Sequence, residues 1–379
     1  MSKGINNSKM KIAKIEALHF RLPVVREIAD GTQDCLLIQV HTDTGIIGLG
    51  EVVSCSYVAR AVIEAPRSAP FRHGLATIVE GMLADEIDLA TQAMIEGSSW
   101  YGPGGVVRQA MSGVDMALWD IRGKTLGQPV RNLLSQTSVD QVPCYASVLW
   151  PDHPEEIAVS AESFLEQGYQ AVKYGWGPMG LDPVLDESLV ASARDALGPE
   201  IDLMVDAGRV WDVETACSRA EQLKKYNLLW LEEPLNPYDI KGYRELSTNS
   251  SIPIASGEIL TLQQDFKQLI IQGKVAIVQP DLGRIGGFSA AQKIGLLAQD
   301  ARSWAVPHAF GTGVLLAASA QWAATRQKPL TEFTRAPSPL AQELVLHDMK
   351  FEDGMLTLSN APGLGITLND HVAEKYRVS

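Results

Sequence analysis

Cysteine is scarce in this chain of 379 residues. The four present (Cys35, Cys55, Cys144 and Cys217) are far apart and form no C-x-x-C pair. A chain this long buries a substantial core without disulfides, so the expectation is reduced, mostly buried thiols in a cytosolic protein. Basic charge is also short: Lys+Arg is 32 against Asp+Glu 45, a net charge of −13, with no basic run. That argues against nucleic acid or an anionic membrane surface as partner. It does not argue against an anionic small molecule, because one site can carry local positive charge or a metal. The first eight residues lack the apolar core of a signal peptide. The stretch 303–325 has no Asp, Glu, Lys or Arg, but Pro307, His308, Gly311 and Gly313 break it, so a membrane span is not expected. A G-x-S-x-G elbow is absent as well, which removes support for a serine hydrolase.

What is present is a change of rhythm. Residues 13–22, 34–40 and 46–52 read as strands of a meander, with a turn at Thr42-Asp43-Thr44-Gly45, and helical spacing follows over 75–96 and 105–125. Strands before helices predict an α+β domain over residues 1–130. Beyond it, short apolar runs recur at 142–149, 171–174, 201–205, 228–231, 252–255, 275–278, 304–306 and 330–333. Helical patterns such as 154–167, 185–197, 213–225 and 287–298 lie between them. Eight strands alternating with helices predict an α/β fold, a modified (β/α)8 or TIM-like barrel, over 131–340; a doubly wound open sheet is the weaker alternative. The tail, 341–379, with the strand-like Met355-Leu-Thr-Leu, is expected to return to the N-terminal capping domain and complete it.

Active sites of such barrels sit where the strands end. From the second strand onward these ends carry Lys173, Asp206, Glu232-Glu233, Glu258, Asp281, His308 and Glu332. For any single carboxylate, a helix cap or a solvated charge is the ordinary explanation. The series is harder to dismiss. Asp206, Glu232 and Glu258 follow one another at intervals of 26 residues, and adjacent strands lie about 4.8 Å apart. Crowded carboxylates repel unless a hard cation joins them, and Mg2+ prefers oxygen ligands. Strand alternation selects Glu232 over Glu233 as the inward ligand. His308, beside Asp281, is a candidate general base whose tautomer the carboxylate fixes.

Together these residues resemble the enolase superfamily, in its mandelate racemase/muconate lactonizing enzyme branch with acid-sugar dehydratases and sugar-lactone cycloisomerases. The similarity runs over nearly the whole chain: Ala110 through Lys124 with Gly127-Gln-Pro-Val, Leu231-Glu-Glu-Pro234, Ser256-Gly-Glu258, Gln279-Pro-Asp281, Pro307-His-Ala-Phe-Gly-Thr-Gly313 and Pro362-Gly-Leu-Gly-Ile366. The resemblance implies one Mg2+ per subunit (Mn2+ substituting) on Asp206, Glu232 and Glu258, and an acid–base dyad of Asp281 and His308. It also implies that Lys173 binds the substrate carboxylate and that Glu332 hydrogen-bonds it where enolate charge develops. A homo-oligomer in the cytoplasm is expected by the same analogy. Two departures stand out. Many relatives have Lys-x-Lys where this chain has Lys173-Tyr174-Gly175, which disfavours two-base racemisation. An asparagine often found at the Gly208 place is also missing, leaving Arg209 to make a substrate contact. The implied reaction is dehydration of an aldonate- or aldarate-like acid to a 2-keto-3-deoxy acid. Cycloisomerisation or epimerisation of a sugar acid or lactone on the same enolate chemistry is the alternative. Capping loops over 22–32 and 53–67 are expected beside the substrate.

Two other classes have weaker support in the residues. Gly175-Trp-Gly-Pro-Met-Gly180 matches G-x-G-x-x-G, but Pro178 and Pro183 interrupt the place where a dinucleotide-binding helix should open. A non-catalytic barrel that only binds sugar acids has no use for the full set of ligands and the dyad.

Overall fold

A computed structural model describes residues 9–378; the eight N-terminal residues read for a signal peptide lie outside them. The chain opens with an antiparallel sheet ordered β1 (Ile12–Arg21), β2 (Asp34–Thr42), β3 (Ile47–Val52). Helices α1 (Ser56–Glu64), α2 (Leu75–Val79), α3 (Ile87–Gly97) and α4 (Val106–Leu126) follow. The sheet and α4 touch backbone to backbone: a Cβ on Gly48 or Gly50 would stand 2.0 Å from the carbonyl oxygen of Ala117 or Gly113. The helical spacing over 75–96 resolves into two helices rather than one. Gly81 turns left-handed (φ 87) and its N–H donates to Ile12 O at 2.8 Å, while Ile12 N–H donates to Met82 O, so the segment between the helices pairs with the edge of β1. The stretch 53–67, expected as a loop, is mostly α1.

After α5 (Val130–Leu134) come eight parallel strands. They are β4 (Gln141–Leu149), β5 (Ala171–Gly175), β6 (Asp202–Asp206), β7 (Leu228–Glu232), β8 (Ile254–Ser256), β9 (Ile277–Val278), β10 (Trp304–Ala305) and β11 (Thr331–Thr334). Each pairs with the next from β4 to β10, and β11 pairs with β4, so the sheet curls into a barrel. Between the strands run α6 (Ile157–Glu166), α7 (Pro183–Leu197), α8 (Val213–Leu223), α9 (Ile240–Asn249), α10 (Gln263–Ile271), α11 (Gly287–Ala301) and α12 (Gly313–Ala323). Several starts are written in the sequence. Asp182, Asp212 and Asp239 accept hydrogen bonds from the first free N–H groups of α7, α8 and α9, and Pro183 takes a helix position that needs no N–H.

The barrel interior is filled from below by Tyr145, Ala171, Met204, Trp230, Ala255, Ile277, Val306 and Leu330, one from each strand or its flank, all buried. Side chains two residues further along a strand point the same way. The apolar layer therefore fixes which residues face the mouth above it.

The tail comprises α13 (Pro339–Gln342), β12 (Val345–His347), β13 (Lys350–Glu352), β14 (Met355–Thr357), β15 (Ile366–Leu368) and α14 (Asp370–Tyr376). Its strand β14 does not join the first sheet; it pairs antiparallel with the start of β4 on the barrel. Contact with the first sheet comes at the very end, where Val378 N–H donates to His19 O. No helix of the described residues is long and apolar enough to cross a membrane.

Asp120 on α4 ties three parts together. Its buried carboxylate accepts from Leu364 N–H (2.8 Å), from Leu49 N–H on β3 (2.9 Å) and from the Lys124 ammonium (2.6 Å). Burial pushes this carboxyl above its ordinary range, against the pull of Lys124. Removing the acceptor strands two buried N–H groups, so Asp120→Ala should lower unfolding stability by about 3 kcal/mol in chemical denaturation. A loss below about 1 kcal/mol, the size of one ordinary hydrogen bond, would mean the tie is unimportant.

Candidate active site

The layer above the apolar plug is polar. Two residues beyond Tyr145, Ala171, Met204, Trp230, Ile277, Val306 and Leu330 stand Ser147, Lys173, Asp206, Glu232, Gln279, His308 and Glu332, all buried. Glu258 is out of step by one: Gly257 adopts φ 133, a conformation that side chains rarely take, and the extra residue turns Glu258 inward.

Asp206, Glu232 and Glu258 each offer one carboxylate oxygen, and all three lie within 4.8 Å of one another. Asp206 Oδ1 accepts from Gly208 N–H (2.8 Å), and Glu232 Oε2 accepts from Trp230 Nε1 (2.8 Å) and Gln279 Nε2 (2.7 Å). Burial, then repulsion from Glu232 and Glu258, raises the Asp206 pKa well above the ordinary range; burial also raises that of Glu232, against Lys173. Glu258 Oε2 is buried with no hydrogen-bond partner. An orphaned buried oxygen in an all-carboxylate group fits a hard divalent cation. Glu233 points away; its Oε1 accepts from Ser256 Oγ (2.7 Å) and Gly257 N–H (2.8 Å), which braces the turn that presents Glu258.

On one flank Lys173 ion-pairs with Glu232 and, at 2.9 Å, with Glu332. On the other, His308 Nδ1 donates to Asp281 Oδ2 at 2.7 Å, and its Nε2 lies 3.4 Å from Glu258 Oε2 and 3.9 Å from Glu332 Oε2. Burial opposes charge on the imidazole, but Glu258, Glu332 and Asp281 outweigh it and carry the pKa up to about 10. Positive charge held among the triad would cancel the Glu258 contribution and return the ring toward a free base.

Glu332 stands in the cavity wall on β11, in contact with Lys173. Burial opposes its charge, but Lys173, His308, Ser147 and the Ala309 N–H (2.6 Å) outweigh it and hold the carboxyl down to about 2 while the imidazole is charged. In this arrangement it orients Lys173 and the backbone after His308. Arg209, the other residue expected to touch substrate, packs on an aromatic ring. It is left-handed (φ 68), its guanidinium lies 5.2 Å from the Trp176 ring centroid, and Trp176, not Arg209, lines the cavity.

The cavity over these groups measures about 320 Å3 and includes Lys173, Asp206, Glu258, His308 and Glu332 in its walls. Of the expected capping loops, Ile28 to Gly31 and Val53 reach it. Sequence reasoning missed Ser147, Arg284 and Phe310, which also line it. Ser147 was legible as the end of the first barrel strand, but it carries no charge to draw attention. Gly175 is a wall too: a Cβ there would stand 2.7 Å from Asp206 Cβ and 3.0 Å from its Oδ2.

Residues 156–372 match the enolase C-terminal domain-like family, and residues 16–135 match the mandelate racemase / muconate lactonizing enzyme N-terminal domain. The chain belongs to the mandelate racemase/muconate lactonizing enzyme branch of the enolase superfamily. Within that family it is 29% identical over 360 residues to the D-galactarolactone cycloisomerase of Agrobacterium fabrum (90% of this chain, 91% of the relative). It is 33% identical over 290 residues to the L-talarate/galactarate dehydratase of Salmonella typhimurium (76% and 70%). The crystal structure of the 3,6-anhydro-D-galactonate cycloisomerase from Zobellia galactanivorans superposes with a TM-score of 0.89 at 31% identity, covering 97% of this chain and all of that one.

Two outcomes test the site as a metal centre. Calorimetry with Mg2+ should find one site per chain that Asp206→Asn abolishes; equal affinity in that variant would remove Asp206 from the ligand set. Gly175→Ala should weaken Mg2+ by about 10-fold, because the new methyl displaces the Asp206 carboxylate, an effect of the size seen when a ligand loses its support. Unchanged affinity would show that Asp206 has room to move.

Proposed function

We propose that this enzyme is a Mg2+-dependent sugar-acid dehydratase that removes the proton α to a carboxylate and expels the β-hydroxyl as water. The observation that carries the reading is a single imidazole, oriented by a buried carboxylate, facing a carboxylate triad and a lysine with no second base opposite it. The names of the relatives, dehydratases and cycloisomerases of sugar acids, point to the same substrate class.

In this reading Lys173 binds the substrate carboxylate and lowers the cost of the second negative charge that forms on it. Asp206, Glu232 and Glu258 would hold a Mg2+, which would supply further positive charge near the developing dianion, where it matters more than in the ground state. His308 Nε2 takes the proton from C2, while Asp281 keeps Nδ1–H in place and stabilises the imidazolium. The C3–O bond then breaks, His308 returns its proton to the departing hydroxyl, and water leaves. The enol that remains tautomerises to a 2-keto-3-deoxy acid. Gly175 offers nothing to the opposite face of the substrate, so inversion through a second base is disfavoured. Cycloisomerisation of a sugar lactone is the second reading. It too needs one base beside the enolate, and a D-galactarolactone cycloisomerase and a 3,6-anhydro-D-galactonate cycloisomerase are among the similar proteins.

A panel of aldonic and aldaric acids with 2-keto-acid detection tests the proposal. Product should require Mg2+, vanish with chelator, and fall by about 1,000-fold in His308→Asn, within the range for losing a general base. Turnover that survives His308→Asn would overturn it. Deuterium uptake from solvent into a lactone-derived product, without keto acid, would favour cycloisomerisation.

A further inference from the structure

The last residues of β3 reach across to the barrel at the two loops that bear the dyad. Glu51 is buried, and its Oε1 accepts from Thr312 N–H (3.0 Å). Its Oε2 accepts from Thr312 Oγ1 (2.6 Å) and Leu315 N–H (2.9 Å). These donors are the threonine that caps α12 and a first-turn N–H, four to seven residues after His308. Gly311 has no room for a side chain: a Cβ would come 2.8 Å from Glu51 Oε1. Two residues beyond Glu51, Val53 N–H donates to Gly283 O (3.1 Å), and a Cβ on Gly283 would lie 2.6 Å from Val53 Cγ2. Gly283 N–H in turn donates to Asp281 Oδ1 at 2.7 Å, the oxygen that His308 leaves free. One strand end thus presses on the His308 loop through a carboxylate and on the Asp281 loop through a backbone hydrogen bond.

We propose that Glu51 is a positioning residue for the acid–base dyad, and that the end of β3 clamps the Asp281 and His308 loops so that Nδ1 and Oδ2 stay in hydrogen-bond register. The inference rests on the dyad reading given above, but it concerns geometry that is measurable without substrate. The capping region is then part of the scaffold of the base and not only a wall of the cavity. A carboxylate suits the task because it accepts from all three donors at once; a glutamine must turn an N–H2 toward one of them.

The test uses full-length, Mg2+-saturated protein labelled with 15N-histidine. The downfield proton on His308 Nδ1 is assigned by its loss in His308→Asn. In Glu51→Gln and Gly311→Ala this resonance should move upfield and broaden. In the same variants kcat on the acid found by the panel should fall about 100-fold, the scale for small misplacements of reacting groups. KM and Mg2+ affinity should stay near wild type. Thr312→Val, which removes one donor, should give a smaller change of the same kind and carries the test if Glu51→Gln does not fold. An unmoved resonance in folded Glu51→Gln would overturn the proposal, as would a loss of kcat matched by lost Mg2+ affinity with the resonance unchanged. A resonance that moves in protein that turns over no sugar acid would uphold the clamp while refuting the proposed reaction.

Discussion

Asp206, Glu232 and Glu258 bring three carboxylates into a buried layer, and the rest of the barrel mouth answers to that crowding. Two like charges about 4 Å apart repel by about 4 kcal/mol at an effective dielectric constant of about 20, and the triad contains three such pairs. Lys173 offsets part of this through its contacts with Glu232 and Glu332. The Lys173 ammonium, the His308 imidazole and the Arg284 guanidinium, 3.8 Å from Asp281, stand against the triad, Glu332 and Asp281 together, so the layer remains acidic. A small dication is the simplest group that restores balance without filling the cavity. The same field holds the proton on His308, which links the strength of the base to occupancy of the triad.

Much of this was legible because the barrel converts sequence spacing into position. Each strand supplies one residue to the apolar plug and, two residues on, one to the polar layer, so charged residues at strand ends predict a shared face. Gly257 breaks the count, and Glu258 joins the layer only through that turn. Its spacing of 26 from Glu232 agreed with the simple rule although the local geometry does not. What spacing does not encode is protonation and reach. Glu332 occupies the expected place, but its ties to Lys173 and to the Ala309 N–H join separate strands and loops that spacing does not name. Arg209 follows the expected strand, and its guanidinium lies over the ring of Trp176, a packing that spacing does not name. Arg284 and Phe310 become wall residues only when the loops are folded together, whereas Ser147 follows the strand count but carries no charge to mark it. The break between α2 and α3 is of the same kind: periodicity continues across it, but the edge of β1 claims the intervening backbone.

Docking of the first sheet and its helices onto the barrel relies on a repeated device. Asp120 accepts backbone N–H groups of β3 and the tail, Asp115 accepts from Ser289 N–H (3.2 Å) in the first turn of α11, and Glu51 does the same for α12. Helix starts carry unsatisfied N–H groups and partial positive charge, so a buried carboxylate there is matched in both hydrogen bonding and electrostatics. Burial still pushes Asp115 and Glu51 each up to about 7, so the match offsets the loss of solvation only in part. Buried acids of this kind fix orientation more than they add stability. Apolar packing alone would tolerate small slides between the two bodies, whereas directional acceptors do not.

The glycine at 175 bears on reaction type in the same physical terms. A missing second lysine could be a simple deletion, leaving space that one substitution would refill. Here the space is tight: Gly175 and Asp206 are register partners on β5 and β6, and a Cβ at 175 would come within 2.7 Å of the aspartate Cβ. Trp176 N–H donates to Asp206 O at 3.2 Å, so the backbone cannot easily withdraw. A side chain introduced at 175 would therefore crowd Asp206 unless that carboxylate or its strand shifted. On the proposed reading, one-base chemistry is then not only what the present residues allow. It follows from how closely β5 and β6 pack around Asp206, and a return to two-base inversion would require that pair of strands to be rebuilt together.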